Sequence, residues 1–247
     1  MINITKEAID SAFNCLAERY QNWFADSKAM LDLYNSANRA FVGEGSLGDF
    51  RIVYEELRGK WQVFRGGQGH WSLEQTYRVL KDLPEDLKNC CLSELDTYKW
   101  RDVWNAIESL KDIKQLKEGP SLVAISKFLH FWNPRLFVIF DSEVVENWVF
   151  RHKYLADQLN SEHVKSVLDQ LNLNNNSRLP KYFKALVFAS DLISNYPHIL
   201  EAFASKVHND IGTYEATAVE RFLLGLVELP PAGLEVSESK TEEKQNG

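Results

Sequence analysis

The chain has 247 residues, with 28 Lys and Arg against 35 Asp and Glu and 45% hydrophobic residues, which is the composition of a globular protein and excludes a disordered or fibrous one. The formal net charge of −7 excludes a generally basic, nonspecific nucleic-acid binder, because such proteins neutralise phosphates with Lys and Arg. The 12 Gly and seven Pro are too few for a turn-dense all-β chain.

Helical periodicity begins near the N-terminus. Apolar residues recur at spacings of three and four from Ile9 to Trp23, behind Thr5 as the predicted N-cap. A second helix is predicted from Met30 to Phe41, and a third from Phe50 to Leu57. The first quarter of the chain is therefore predicted to hold three helices.

An irregular, glycine-rich segment, WQVFRGGQGHW, covers residues 61–71. Trp61 and Trp71 flank it and are predicted to anchor it to the core. Ser72 and Gln75 then form a capping-box pattern that predicts the start of the next helix. Strand-like character is limited to the Val63-Phe64 region and the run LFVIF at 136–140, and two short runs cannot build a sheet.

Helices are also predicted after the glycine-rich segment and the helix that follows it. One carries a short apolar face through Leu87, Cys91 and Leu95, and a longer one carries Trp100 to Leu110. Further helices are predicted at 122–132, which Asn133-Pro134 closes, and then at 162–171, 180–194, 198–208 and 214–228. We therefore expect an all-α fold, a compact multi-helix domain of about ten helices over residues 1–229, followed by a disordered acidic tail at 230–247.

Sequence features also bear on location and cofactors. No stretch approaches the roughly 18 apolar residues that span a bilayer, and the N-terminal residues lack the pattern of a signal peptide. The cysteines, Cys15, Cys90 and Cys91, are odd in number and lack zinc spacing. We therefore expect a cytoplasmic protein with reduced thiols, no membrane association, no metal site and no cofactor.

Motifs of several enzyme classes are missing from the sequence. The glycine-rich segment lacks the Gly-Lys-Ser/Thr ending of a P-loop, and a single Arg-Gly-Gly is not an RNA-binding box. Neither His-Glu-x-x-His nor Gly-x-Ser-x-Gly occurs. The sequence thus argues against common metalloproteases and serine hydrolases.

One segment, residues 119–148, has an order of features that points to chemistry. It reads as a tight turn at Gly119, a helix, a break at Asn133-Pro134, the apolar run 136–140 and Asp141 before a further helix. In this order the segment resembles the helix-hairpin-helix DNA glycosylase superfamily. Two features differ from the family pattern. Gly119 is followed by Pro120, which has no N–H, and Lys127 lies eight residues after Gly119 rather than just after the hairpin.

The resemblance implies base excision from a flipped nucleotide. Asp141 would stabilise positive charge at the sugar or activate water, and Lys127 would be the candidate amine nucleophile. The candidate DNA-binding residues are Gly119, Ser121, His130 and Arg135. DNA is the partner that this hypothesis predicts, through a local site.

The same residues also have structural interpretations. Asp141 can be a helix N-cap, Lys127 a solvated residue on a helix face, His130 a hydrogen-bonded structural histidine and Arg135 a surface charge. The aromatic residues of this segment are predicted to form the centre of the core. The alternative function is therefore a non-enzymatic helical interaction protein.

Overall fold

The computed structural model describes residues 4–19, 27–42, 45–61, 63, 72–112, 114–115, 119–140, 159–173, 178–207 and 211–228. In these ranges the chain forms eleven α-helices and one 3-10 helix. In chain order they are α1 (Lys6–Arg19), α2 (Ser27–Phe41), α3 (Leu47–Gly59), α4 (Leu73–Lys81), α5 (Glu85–Lys88), the 3-10 helix (Leu92–Glu94), α6 (Thr97–Ser109), α7 (Leu122–Trp132), α8 (Glu162–Gln170), α9 (Arg178–Asn195), α10 (His198–Ala204) and α11 (Glu215–Glu228).

The fold class is all-α, as the periodicity predicts. Several helix starts are set by the predicted local signals. Thr5 Oγ1 accepts a hydrogen bond from Ala8 N at 3.2 Å, and Ser72 Oγ accepts one from Gln75 N at 3.1 Å. These side chains satisfy N–H groups that the first turn of a helix leaves unpaired.

The predicted strand-like runs do not form strands among the described residues. Leu136 and Val63 lie in turns, and residues 137–140 have no strand pairing within the described part of the chain. The two strands that the structure describes are β1 (Lys114–Gln115) and β2 (Gly119–Pro120), which pair antiparallel. Gly119 is therefore part of a short strand, where the sequence predicts a tight turn.

The predicted helical face through Leu87, Cys91 and Leu95 is interrupted in the structure. α5 ends at Lys88, and Cys91 has an extended backbone with φ −111° and ψ 161°. The N–H of Leu92 donates to Arg135 O at 3.2 Å instead of to a carbonyl of its own helix. A tertiary hydrogen bond therefore replaces the helical one that a local pattern predicts.

One hydrophobic cluster joins residues from helices throughout the described chain. α1 packs against α11, and α10 contacts both. The prediction of an aromatic core centre is confirmed for the described aromatic residues of that segment, which are all buried: Phe128, Phe131, Trp132, Phe137 and Phe140. Trp61, also as predicted, packs edge-on against Phe131 at 5.6 Å between ring centroids.

Further predictions concern the cysteines and the membrane. Cys90 and Cys91 are buried and free, and Cys15 is half-buried and free. In the described ranges no helix combines the length and the apolar character needed to cross a membrane. Three predicted features, Trp71, Asp141 with the helix after it, and the tail 230–247, lie outside the described residues.

Candidate functional site

The site predicted from the sequence is built on α7. Ser121 begins this helix, because its Oγ accepts a hydrogen bond from Ala124 N at 3.3 Å. Ser121 and every residue of α7 except Val123 are buried. A helix that is buried on nearly all sides packs inside the protein, so α7 is a central helix of the fold.

Asn133 ends α7 and fixes the chain direction after it. Its backbone is extended, which suits a residue that precedes a proline. The side-chain Nδ2 donates to Leu87 O at 2.7 Å and to Cys90 O at 2.9 Å. Its Oδ1 accepts from Arg135 N at 2.9 Å. One buried amide therefore joins the end of α7 to the segment around α5.

The apolar run 136–140 has no neighbouring strand among the described residues. Leu136 N and Phe137 N donate back to Asn133 O at 3.2 and 3.1 Å, and side chains pair the groups that follow. Tyr182 Oη donates to Val138 O at 3.0 Å, and His130 Nδ1 lies 2.7 Å from Phe137 O. Phe140 N donates to Ser126 Oγ at 2.9 Å. Because a buried backbone group must be paired, these side chains replace the ladder that a sheet would provide.

His130 lies in the interior, with both ring nitrogens in hydrogen bonds. Its Nε2 lies 2.7 Å from the hydroxyl of Tyr34, and its Nδ1 contacts the carbonyl oxygen of Phe137. Burial lowers the pKa of His130 to about 3, against a smaller opposing effect of the Phe137 hydrogen bond. The imidazole is therefore neutral at physiological pH, as expected for a structural histidine.

Lys127 is buried, with 9% of its surface exposed. Its Nζ lies over the ring of Trp61, 5.2 Å from the ring centroid, which is a cation–π geometry. The interpretation of Lys127 as a solvated residue on a helix face is therefore wrong. Local spacing misses this burial because the covering ring comes from the chain after α3.

Arg135 lies at the junction of α7 with the 3-10 helix. Its carbonyl accepts from Leu92 N, and its side chain is half-buried, with a buried Nε that has no hydrogen-bond partner in the described ranges. Burial raises the pKa of the neighbouring Cys91 thiol to about 12, and the Arg135 charge opposes that rise. Arg135 is thus partly enclosed. The structural interpretation from the sequence expects a surface charge instead.

Gly119 and the following residue form strand β2, with Gly119 opposite Gln115 and Pro120 opposite Lys114. Pro120 has no N–H to offer a phosphate. Asp141, the predicted acid, directly follows the described run but is itself outside the described residues. The hydrogen bond between Ser126 and Phe140 therefore joins the two residues that precede Lys127 and Asp141 in the sequence.

Sequence reasoning misses three residues that organise this region: Tyr34, Trp61 as the partner of Lys127, and Tyr182. Tyr34 and Tyr182 lie on the apolar faces of α2 and α9 and are buried. A tyrosine on such a face is a signal in itself, because a buried hydroxyl needs a hydrogen-bond partner. The identity of that partner depends on tertiary packing.

A scan against protein-family models, a search of curated proteins and a search of solved structures each found no match to this chain.

Proposed function

We propose that this chain acts on DNA as a base-excision enzyme, and that its helical fold is a distant form of the helix-hairpin-helix glycosylase type. Lys127 would be the amine nucleophile, and Asp141 would stabilise positive charge at the sugar or activate water. The observation that carries the proposal is the 2.9 Å hydrogen bond from Phe140 N to Ser126 Oγ. It links the residues that precede Asp141 and Lys127.

The surroundings of Lys127 also support this role. Enzymes of this class draw a nucleotide out of the duplex into a pocket, and an amine nucleophile must lose its proton before it attacks. Burial in general favours the neutral form of an amine, and Lys127 is a buried lysine on a central helix. The ring of Trp61, 5.2 Å from Lys127 Nζ, would hold the amine in position, although a cation–π partner favours the charged form.

The proposed reaction forms one bond as it breaks another. The Lys127 amine attacks C1′ of the flipped nucleotide, and the N-glycosidic bond breaks. The base leaves with the electron pair of that bond and takes up a proton. Loss of the amine proton and opening of the sugar ring then give an imine between Lys127 and the sugar, which borohydride reduces to a stable secondary amine.

Borohydride trapping on duplexes that carry a panel of damaged bases tests the proposal. We expect the wild type to release one class of damaged base and to form a covalent protein–DNA adduct on a denaturing gel. Lys127→Gln should abolish the adduct, and Asp141→Asn should slow base release by at least about 100-fold, the usual size of an acid–base contribution. The matched control is Lys111→Gln, which removes an exposed lysine just after α6.

Two results would overturn base excision. One is that the wild type releases no base from any duplex of the panel. The other is that Lys127→Gln, with a helical circular dichroism spectrum like that of the wild type, still forms the adduct. The spectrum separates loss of chemistry from loss of the fold.

A second candidate function is a non-enzymatic interaction protein, and the hydrogen bonds of Ser121 and His130 favour it. Ser121 Oγ caps α7, and both ring nitrogens of His130 are used inside the fold. In that case Lys127 and Trp61 only pack against each other. Lys127→Met, which keeps a long side chain without charge, would then melt at the wild-type temperature or higher, and no base would be released.

A further inference from the structure

A polar cleft lies between α3 and the beginning of α4. Its volume is about 430 Å³. Residues with charged or hydroxyl groups line most of it, namely Arg51, Tyr54, Glu55 and Arg58 from α3 and Ser72 and Glu74 from the start of α4. Small-molecule pockets are mainly apolar, whereas interfaces with DNA are polar and charged.

Four residues of α3 and its C-terminal extension follow one face. Arg51, Tyr54 and Arg58 are three and four residues apart, the spacing of neighbours on a helix surface. Trp61 follows after three more residues, and its N–H still donates to Glu56 O at 3.2 Å. At about 1.5 Å of rise per residue, Tyr54 and Trp61 are about 10 Å apart along the helix axis.

Two residues of this face, Tyr54 and Trp61, contact the part of α7 that carries Lys127. The ring of Tyr54 stacks on Phe128, with centroids 6.0 Å apart and an interplanar angle of 21°. Phe128 is the neighbour of Lys127 on α7, and the ring of Trp61 lies 5.2 Å from Lys127 Nζ. Along the helix axis Arg58 and Arg51 are about 4.5 and about 15 Å from Trp61, which corresponds to about one and about four nucleotide steps along a duplex axis.

The two arginines of the cleft have their charges available. Both are exposed, and within the described ranges neither forms an ion pair, in contrast to Arg39, whose Nε lies 3.2 Å from Asp49 Oδ1. The guanidinium group binds phosphate oxygens in a bidentate manner. Glu55 and Glu74 face the same cleft, so its formal charge is balanced, and each carboxylate opposes the binding of a phosphate.

We propose that Arg51 and Arg58 bind the phosphate backbone of a DNA strand beside the nucleotide that reaches Lys127. This inference rests on the proposed function, because it assigns the DNA contact of that same site. Pro120 in β2 has no N–H to donate to a phosphate, whereas each arginine carries five N–H donors.

Fluorescence anisotropy with a labelled duplex that carries an uncleavable abasic-site analogue tests this contact. Arg51→Gln and Arg58→Gln should each weaken binding about three- to tenfold. Each should also make the negative slope of log association constant against log salt concentration shallower by about one. Glu74→Gln should strengthen binding, because it removes a charge that repels the phosphates. The matched control is Arg78→Gln, an exposed arginine of α4 that does not line the cleft.

The inference is overturned if the wild type does not bind the duplex, or if Arg51→Gln and Arg58→Gln bind it no more weakly than Arg78→Gln. Binding does not depend on the trapping reaction, so the two proposals fail separately. Arginine-dependent binding without base release would support the DNA contact and overturn base excision. Base release that neither arginine substitution changes would support base excision and overturn the DNA contact.

Discussion

Tyr34 donates its hydroxyl proton to Nε2 of His130 across 2.7 Å. The direction follows from the other ring nitrogen, because Nδ1 faces the carbonyl oxygen of Phe137 and a carbonyl can only accept. The ring is neutral, since burial lowers the pKa of His130 to about 3. With its single proton on Nδ1, the imidazole leaves Nε2 as the acceptor, and one histidine joins α2 to the run after α7.

Tyr34→Phe removes this donor and leaves a buried acceptor without its bond. We expect the free energy of unfolding to fall by about 1–3 kcal/mol, measured by urea denaturation. The control is Tyr98→Phe, whose side chain is 86% exposed and should change stability by less than about 0.5 kcal/mol. Equal losses in the two variants would contradict the assigned bond.

Stability should depend on pH through His130. Its pKa is about 3 in the folded chain against 6.5 for an unperturbed histidine. Above pH 6.5 neither state binds the proton, and the contribution of the neutral ring is fully present. Below pH 6.5 the unfolded chain takes up a proton that the folded chain does not, so stability falls as the pH falls from 6.5 towards 3, by up to about 1.4 kcal/mol per pH unit.

Urea denaturation at several pH values between 7.5 and 4 measures this slope. His130→Gln should make the slope shallower than that of the wild type, whatever the stability of the variant at pH 7.5. His163→Gln removes a histidine whose side chain is 56% exposed, and surface ion pairs contribute little, so its slope should stay closer to that of the wild type than the slope of His130→Gln does. If both variants keep the wild-type slope, a different group is responsible for the acid sensitivity.

Gly225 allows α1 and α11 to approach each other closely. A Cβ atom at this position would lie 2.3 Å from Ala12 O, a backbone atom that cannot rotate away. Gly225→Ala should therefore destabilise the fold by about 1–3 kcal/mol through overpacking, seen as a lower melting temperature. Gly59→Ala is the matched control, because nothing lies within 4 Å of its added Cβ, and it should be neutral or slightly stabilising.

Asn133→Ala would break three hydrogen bonds of one buried side chain. The carbonyls of Leu87 and Cys90 and the N–H of Arg135 would each lose a partner. We expect a loss of about 2–4 kcal/mol, since each unpaired buried group has a cost of its own. Asn195→Ala, which removes one exposed bond to Asp191 O, should cost less than about 1 kcal/mol. A similar loss in both variants would show that the junction tolerates the unpaired groups.

Local signals in the sequence predict most helices of this fold. The start of α4 follows from Ser72 and Gln75, and the end of α7 from Asn133 and the proline after it. These features involve side chains and backbone groups a few residues apart, so the chain encodes them without reference to the rest of the protein.

Features that depend on distant residues could not be predicted in the same way. Lys127 shares its spacing with exposed lysines on amphipathic helices, and its contact with Trp61 comes from the chain after α3. The run 136–140 has the composition of a strand, yet Ser126 and Tyr182 provide its hydrogen bonds. Knowing which partner a buried polar group finds requires the tertiary fold.

The packing of α1 against α11 joins two helices that are synthesised far apart in time. During synthesis on the ribosome, α1 emerges first and α11 last among the described helices. The apolar face of α1 therefore stays uncovered by α11 until nearly all of this chain has been synthesised. Nascent chains that stall before α11 would expose that face, and such exposed apolar surface is what chaperones bind and what promotes aggregation.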